Sequence, residues 1–169
     1  LPASFKGISG YVLGFPIPFI FALVMSAVLI WFTNQTVVAR NLYALGGNKQ
    51  AAWYSGINTR QFTLFAHMLA SFLAGVAGVI MTSRVGAAEP TAGEGYETYA
   101  IASCIIGGTS FFGGKGKIFG VLLGGLTIGT ITNGLNILNV SSYWQKVVMG
   151  TLIIASVALE KLVGSTVKD

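Results

Sequence analysis

Two stretches of this chain, Ile17 to about Val38 and Thr63 to Ser83, carry no Asp, Glu, Lys or Arg. Each is long enough to cross the hydrocarbon core of a bilayer. No soluble fold hides two such runs easily, so the sequence predicts a membrane protein. Composition agrees: 53% of the residues are hydrophobic and 9% charged, against about 25% charge in a soluble domain. The 23 glycines suit close packing of membrane helices. The formal net charge of +5 is spread between the apolar runs, which argues against a nucleic-acid face. The single cysteine, Cys104, excludes an internal disulfide and a cysteine-based metal site.

Further apolar runs follow. Residues 1–16, rich in Gly, Pro and Ser, read as an interfacial loop, with Pro16 and Pro18 at the start of the first helix. Tyr99–Phe112 is short and ends in GGTSFFGG, which predicts a re-entrant or broken helix. Ile118–Leu138 and Lys146–Val163 complete the set, joined by an outer turn over 139–145 with Tyr143 and Trp144 at the interface. The expected architecture is all-α, a polytopic transmembrane bundle of about five spans with one short or broken helix. Arg40, Lys49, Arg60, Lys115, Lys117, Lys161 and Lys168 then fall inside, and Lys6, Arg84 and Lys146 outside. This balance puts the N-terminus out and the C-terminus in. Leu1-Pro2-Ala3 reads as the middle of something longer, and residues 1–169 as a single transmembrane domain.

The polar interruption Ala39–Phe62 holds three basic residues and no acid. Gly46-Gly47 is expected to break the chain, Asn48 to cap a helix of about two turns over 49–55, and Gly56 to stop it. With Ala51 and Ala52 on it, such a helix is either a connector or a docking surface. Gly75 and Gly78 in the second span, and Gly120, Gly124, Gly125 and Gly129 in the fourth, are expected points of close approach. Thr127, Thr130, Asn133 and Asn136 recur at spacings of three and are expected to form one polar line on a face of the fourth span, and Thr91, Tyr96, Glu97, Thr109 and Ser110 lie in glycine-rich segments. These hydroxyls and amides fit either a neutral polyol pathway or hydrogen bonds between helices. No intramembrane carboxylate is expected, which argues against proton coupling. His67 is expected to hydrogen-bond between helices. No catalytic grouping, metal set or cofactor motif is found, and GGKGK lacks the phosphate-loop spacing.

Three ordered stretches, YALGGNKQAAWYSGI (43–57), AEPTAGEGYETYAIASCIIGGTSFFGGKGKIFG (88–120) and NGLNILNVSSYWQ (133–145), resemble the permease subunits of monosaccharide ABC importers, the ribose, xylose, arabinose and galactose group. The resemblance covers nearly the whole chain, which looks like the C-terminal half of such a permease. It implies that Gly46, Gly47, Asn48, Ala51, Ala52, Gly56 and Ile57 form a loop that seats in a cytoplasmic ATPase. It further implies a periplasmic sugar-binding protein outside, a second permease subunit (the same chain or a paralogue), surrounding lipid, and a place in the bacterial inner membrane. The chain itself would hydrolyse nothing. Usual members have an aspartate two positions after the glutamate of the GxGYE segment, where this sequence has Tyr99. The alternatives are a truncated, non-transporting paralogue or regulatory membrane protein, and an ATPase-independent carrier or channel.

Overall fold

The computed structural model describes residues 7–12 and 14–166. Lys6 and Lys168 of the charge balance, and Leu1-Pro2-Ala3, lie outside the described residues. Among the described residues a 3-10 turn, Gly7–Ser9, and a two-stranded antiparallel hairpin, β1 (Tyr11–Val12) and β2 (Phe15–Pro16), precede seven helices. These are α1 (Ile17–Gln35), α2 (Val37–Gly47), α3 (Lys49–Tyr54), α4 (Thr59–Val85), α5 (Tyr96–Ile106), α6 (Ile118–Ile137) and α7 (Ser142–Thr166). The fold is therefore an all-α polytopic bundle. Four helices, α1, α4, α6 and α7, are long and apolar enough to cross a membrane. α5 has 11 residues, about 16 Å at 1.5 Å per residue, and is the short helix of the set. The chain packs as two compact units, 1–94 and 95–169.

In the first unit α1 begins at Pro16, with Pro18 in its first turn, where proline loses no intrahelical bond. It buries none of its residues within the chain, as a helix apolar on every side does when its solvent is lipid. α1 and α4 run antiparallel: Phe32 faces Phe65, centroids 6.3 Å apart, and Ile17 and Phe21 lie near Val76 and Ile80. The Ser9 hydroxyl donates to Ser83 O at 3.2 Å, tying the turn at the start to the far end of α4.

The expected first span to Val38 stops earlier, at Gln35. Thr36 takes an extended conformation and serves two helices: its Oγ1 donates to Phe32 O (2.7 Å) and accepts from Ala39 N (3.2 Å). The interruption expected over 39–62 is consequently mostly helix. Gly46-Gly47 is not the break, since both end α2, and the extended residue is Asn48. α4 starts at Thr59 rather than Thr63 because the Asn58 side chain accepts from Gln61 N. Gly75 and Gly78 are not close-approach points within the chain, since a Cβ at either meets nothing within 4 Å.

The second unit is built on glycine. α5 and α6 run antiparallel with Gly107 opposite Gly120 and Ser103 opposite Gly124. A Cβ at Gly107 would sit 2.5 Å from Gly120 O, and one at Gly120 or Gly124 would overlap the Gly107 or Ser103 carbonyl. Only hydrogens let these backbones meet. Above this crossing Ala102, Ile128 and Met149 form a buried cluster, with Tyr99, Ile106, Ile131, Leu152 and Ile153 against it. Gly125 and Gly129, expected on the same packing row, face open space. They lie one position round the helix from Gly124 and Ile128, on a different face.

Gly124→Ala should therefore lower stability by about 1–3 kcal/mol, the usual cost of overpacking. Gly125→Ala should be neutral or stabilising, since alanine is the better helix former. Thermal unfolding of the two variants in detergent checks this pair; equal effects would remove the glycine crossing as the packing determinant.

Candidate functional site

The segment 48–58 holds α3 at both ends. At its start the Asn48 carboxamide oxygen accepts from Gln50 N and Ala51 N, each at 3.0 Å, satisfying two of the donors a helix start leaves open. At its end Gly56, at φ +81°, turns the chain left-handed. Gly56 N donates to Trp53 O (3.0 Å) and Ile57 N to Ala52 O (3.1 Å), the paired bonds of a Schellman stop. Asn58 then caps α4. Every residue from Asn48 to Thr59 thus belongs to a helix, a cap or a hydrogen-bonded turn.

α3 has two unlike faces. Ala52 is 4% exposed and packs inside the chain, so it is not presented to a partner. Ala51 is exposed, and Trp53 and Tyr54 stand out at 63% and 79% exposure. Their rings meet edge to face, 5.1 Å between centroids. Large aromatics on a rigid support are the anchors that protein interfaces use most. Beside them lies an open groove of about 350 Å³ lined by Trp53, Gly56, Ile57, Asn58, Thr59 and Arg60. Gly46 and Gly47 are exposed at the end of α2. Nothing in this arrangement makes or breaks bonds; it presents a fixed, aromatic and basic knob.

The residues considered for a pathway fall into separate groups. Thr91 sits in the turn before α5, its hydroxyl donating to Glu89 Oε1 at 3.2 Å. Tyr96 and Glu97 open α5, which starts at Gly95 (φ +87°) with no side-chain cap; the Glu97 carboxylate suits that bare helix start. Continuing the α5–α6 register from Gly107–Gly120 and Ser103–Gly124 puts Glu97 level with Thr130. Thr130 and Asn133 are exposed on α6. The row Thr127, Thr130, Asn133, Asn136 does not hold one face, since steps of three turn about 60° back around the helix each time. Thr127, Thr130 and Thr132 all donate to their own helix four residues back. Asn136 instead accepts from Gln145 Nε2 at 2.8 Å, and Gln145, 6% exposed, also donates to Val140 O. That pair braces the turn into α7, where Asn139 at φ 54° is the left-handed residue. Among the described residues His67 bonds its own helix rather than another: its Nδ1 bonds Thr63 O at 2.8 Å.

Thr109 and Ser110 lie at the opposite end of α5, in the glycine-rich loop that follows its last residue, Ile106. Ser110 N donates to Lys115 O (2.9 Å), and the Ser110 hydroxyl bonds the Glu160 carboxylate. Phe111 N also donates to Glu160, Oε2 at 3.2 Å. The expectation of no carboxylate in the spans fails here, because Glu160 lies in α7 within the last expected span. Among the described residues it is the loop, and not a cation, that answers this carboxylate. The signal was the lone acid in the run 146–163, beside Lys161. The same bonds bring the Lys115 backbone and the Glu160–Lys161 end of α7 to one end of the unit. The loop displays Phe111 and Phe112, 60% and 65% exposed.

The chain matches the family described as branched-chain amino acid transport system / permease component over residues 2–157. It is 59% identical over 152 residues to the D-allose transport system permease protein AlsC of Escherichia coli K12, covering 90% of this chain and 47% of that protein. It is 47% identical over 153 residues to the ribose import permease protein RbsC of Bacillus subtilis 168, covering 90% and 47%. Against the xylose transport system permease protein XylH of Haemophilus influenzae Rd it is 37% identical over 147 residues, covering 87% and 39%. The chain spans about half the length of the curated relatives it matches. No solved structure matches it.

Removing the carboxylate in Glu160→Ala should strand the Ser110 hydroxyl and the Phe111 amide. At about 2 kcal/mol for bonds to a charged acceptor, amide exchange at Phe111 should accelerate about 30-fold. Glu160→Gln, which keeps one acceptor, should fall between. Hydrogen–deuterium exchange of the 108–117 peptide measures this, and unchanged protection in Glu160→Ala would show that the loop holds its shape without the carboxylate.

Proposed function

The chain belongs to the family of branched-chain amino acid transport system / permease components, and from that premise we propose that it is the ATPase-coupling part of a monosaccharide-import permease. The observation that carries this reading is α3: a two-ended, hydrogen-bonded helix presenting Trp53, Tyr54 and Ala51 outward from a segment with three basic residues and no acid. The charge balance places this knob on the cytoplasmic side, where an ATPase would meet it. The sugar class is carried over from the relatives, whose names specify allose, ribose and xylose.

The mechanical argument concerns the link from α3 to α4. Residues 55–58 contain the Schellman stop and the Asn58 cap back to back, so the link has no unbonded stretch that could absorb a displacement. A push on α3 is passed to α4, 27 residues and about 40 Å long. ATP binding and hydrolysis on the partner would then bias two arrangements of the bundle by differential contact with α3. The chain catalyses nothing itself and takes no cofactor. Both units belong in this reading to one transmembrane domain of the bacterial inner membrane, corresponding to the C-terminal half of the longer relatives. A second permease subunit would complete the pathway, and a periplasmic sugar-binding protein would deliver the solute. On the pathway side the strongest group is Tyr96, Glu97, Thr130 and Asn133, at one depth along α5 and α6. Thr91 and Asn136 are nearer the outer turns, and Thr109 and Ser110 serve the Glu160 loop. Amides and hydroxyls match a neutral polyol, which needs directional bonds without a fixed charge.

Ala51→Glu is the clean test of docking, because Ala51 is exposed and the substitution disturbs no packed contact. It should cut co-purification of the ATPase at least about tenfold, roughly 1.4 kcal/mol, while Ala51→Ser retains it. An Ala51→Glu chain that holds the ATPase as well as the parent would sink the docking role and favour a carrier or an unpartnered paralogue. Gly56→Val acts differently, straining the left-handed turn by about 1–2 kcal/mol, and should weaken both coupling and the local fold.

Orientation is checked separately. With Cys104 replaced by serine, a cysteine at Ala92 should react with an impermeant maleimide added outside intact cells. A cysteine at Lys49 should react only after permeabilisation. The reverse pattern would invert the topology.

A further inference from the structure

A second groove adjoins the knob, and docking does not account for it. It opens to about 440 Å³ between α3 and the first turns of α4, lined by Lys49, Thr59, Arg60, Thr63, Leu64 and His67. No acidic side chain is among these residues, and none occurs from 39 to 62, so the positive field of Lys49 and Arg60 is locally unopposed. Thr59, Thr63 and His67 follow one another at intervals of four on one face of α4. The Thr63 hydroxyl donates to Thr59 O at 2.7 Å, and the His67 ring bonds Thr63 O at 2.8 Å through Nδ1. A carbonyl can only accept, so Nδ1 carries the proton and Nε2 is the nitrogen offered to the groove.

Below the basic end the surface changes character. Leu64, Met68 and Phe72, again four apart, are 60%, 62% and 63% exposed and run down α4 into its apolar length. A free phosphate would use only the upper part of this surface. A molecule with a phosphate at one end and an acyl chain at the other would use all of it. We propose that this groove holds the headgroup of an anionic phospholipid, with Lys49 and Arg60 facing its phosphate and an acyl chain along Leu64, Met68 and Phe72. The site rests on the reading that α4 crosses the membrane with Thr59 at the interface, and not on ATPase docking. Lipid bound here touches both α3 and α4, so it would hold α3 at a set depth.

The purified full chain, without any ATPase, is titrated with phosphatidylglycerol and with phosphatidylcholine of the same acyl chains and read by native mass spectrometry. Two basic side chains near an anionic headgroup contribute about fivefold each, so phosphatidylglycerol should be retained about 25-fold better. Lys49→Gln/Arg60→Gln should abolish the preference, whereas Lys115→Gln/Lys117→Gln, at the other basic loop, should keep it. Millimolar inorganic phosphate should not displace the lipid. Equal retention of the two lipids overturns the proposal, and that comparison needs only the parent chain should the double variant misfold. Survival of the preference in Lys49→Gln/Arg60→Gln, its loss in the 115/117 variant, or displacement by phosphate alone would each overturn it too. Because no ATPase is present, the outcome is independent of the docking test.

Discussion

The structure depends on how its helices end. A helix terminus releases amide and carbonyl groups that need partners, and at many of its endings this chain supplies them itself. Three helices close with the same pair of backbone bonds: α3 at Gly56, α5 at Gly108 and α6 at Asn139. Each stop needs one left-handed residue, met twice by glycine and once by asparagine, the residue that tolerates that conformation next best. The starts of α2, α3 and α4 are closed by Thr36, Asn48 and Asn58 side chains. Because stops and caps follow each other directly between α1 and α4, the region between the first two spans is a shaped body rather than a tether.

The second consequence lies between α5 and α6. Once α5 is held to 11 residues, its packing must come from close backbone approach, because few side chains are available to interdigitate. Gly107, Gly120 and Gly124 supply that approach, and the antiparallel register they set aligns Glu97 with the level of Thr130. The loop after α5 then needs its own anchor, and Glu160 provides it from 50 residues away in sequence. A carboxylate near the end of an apolar helix is costly unless answered; here a hydroxyl and a backbone amide answer it. The same bonds hold Phe111 and Phe112 outward.

Local signals were legible in the sequence wherever the determinant was local. The apolar runs located α1, α4, α6 and α7 because burial in lipid requires length and composition alone. Asn48 and Gly56 announced the ends of α3 because capping acts over three or four residues. The misreadings have a common cause. Gly46-Gly47 looked like a break, yet a helix tolerates glycine when the following residue supplies the stop. Gly75 and Gly125 looked like packing points, yet whether a glycine meets a neighbour depends on which face the neighbour takes. Thr127 to Asn136 looked like one polar line, yet the helix rotates that spacing away.

By itself, the sequence determined that this is a polytopic helical membrane protein with a basic, helix-bearing segment between its first spans, and its three ordered motifs pointed to the permease family. Hydrophobicity, charge sidedness and caps are properties of neighbouring residues, so they can be read in one dimension. Only the tertiary structure decided that Ala52 turns inward while Ala51, Trp53 and Tyr54 turn out, that Gly124 rather than Gly125 carries the α5–α6 crossing, and that Glu160 ties the loop at Ser110 and Phe111. Those choices depend on which distant backbone lies within a few ångströms, and no local pattern encodes that distance.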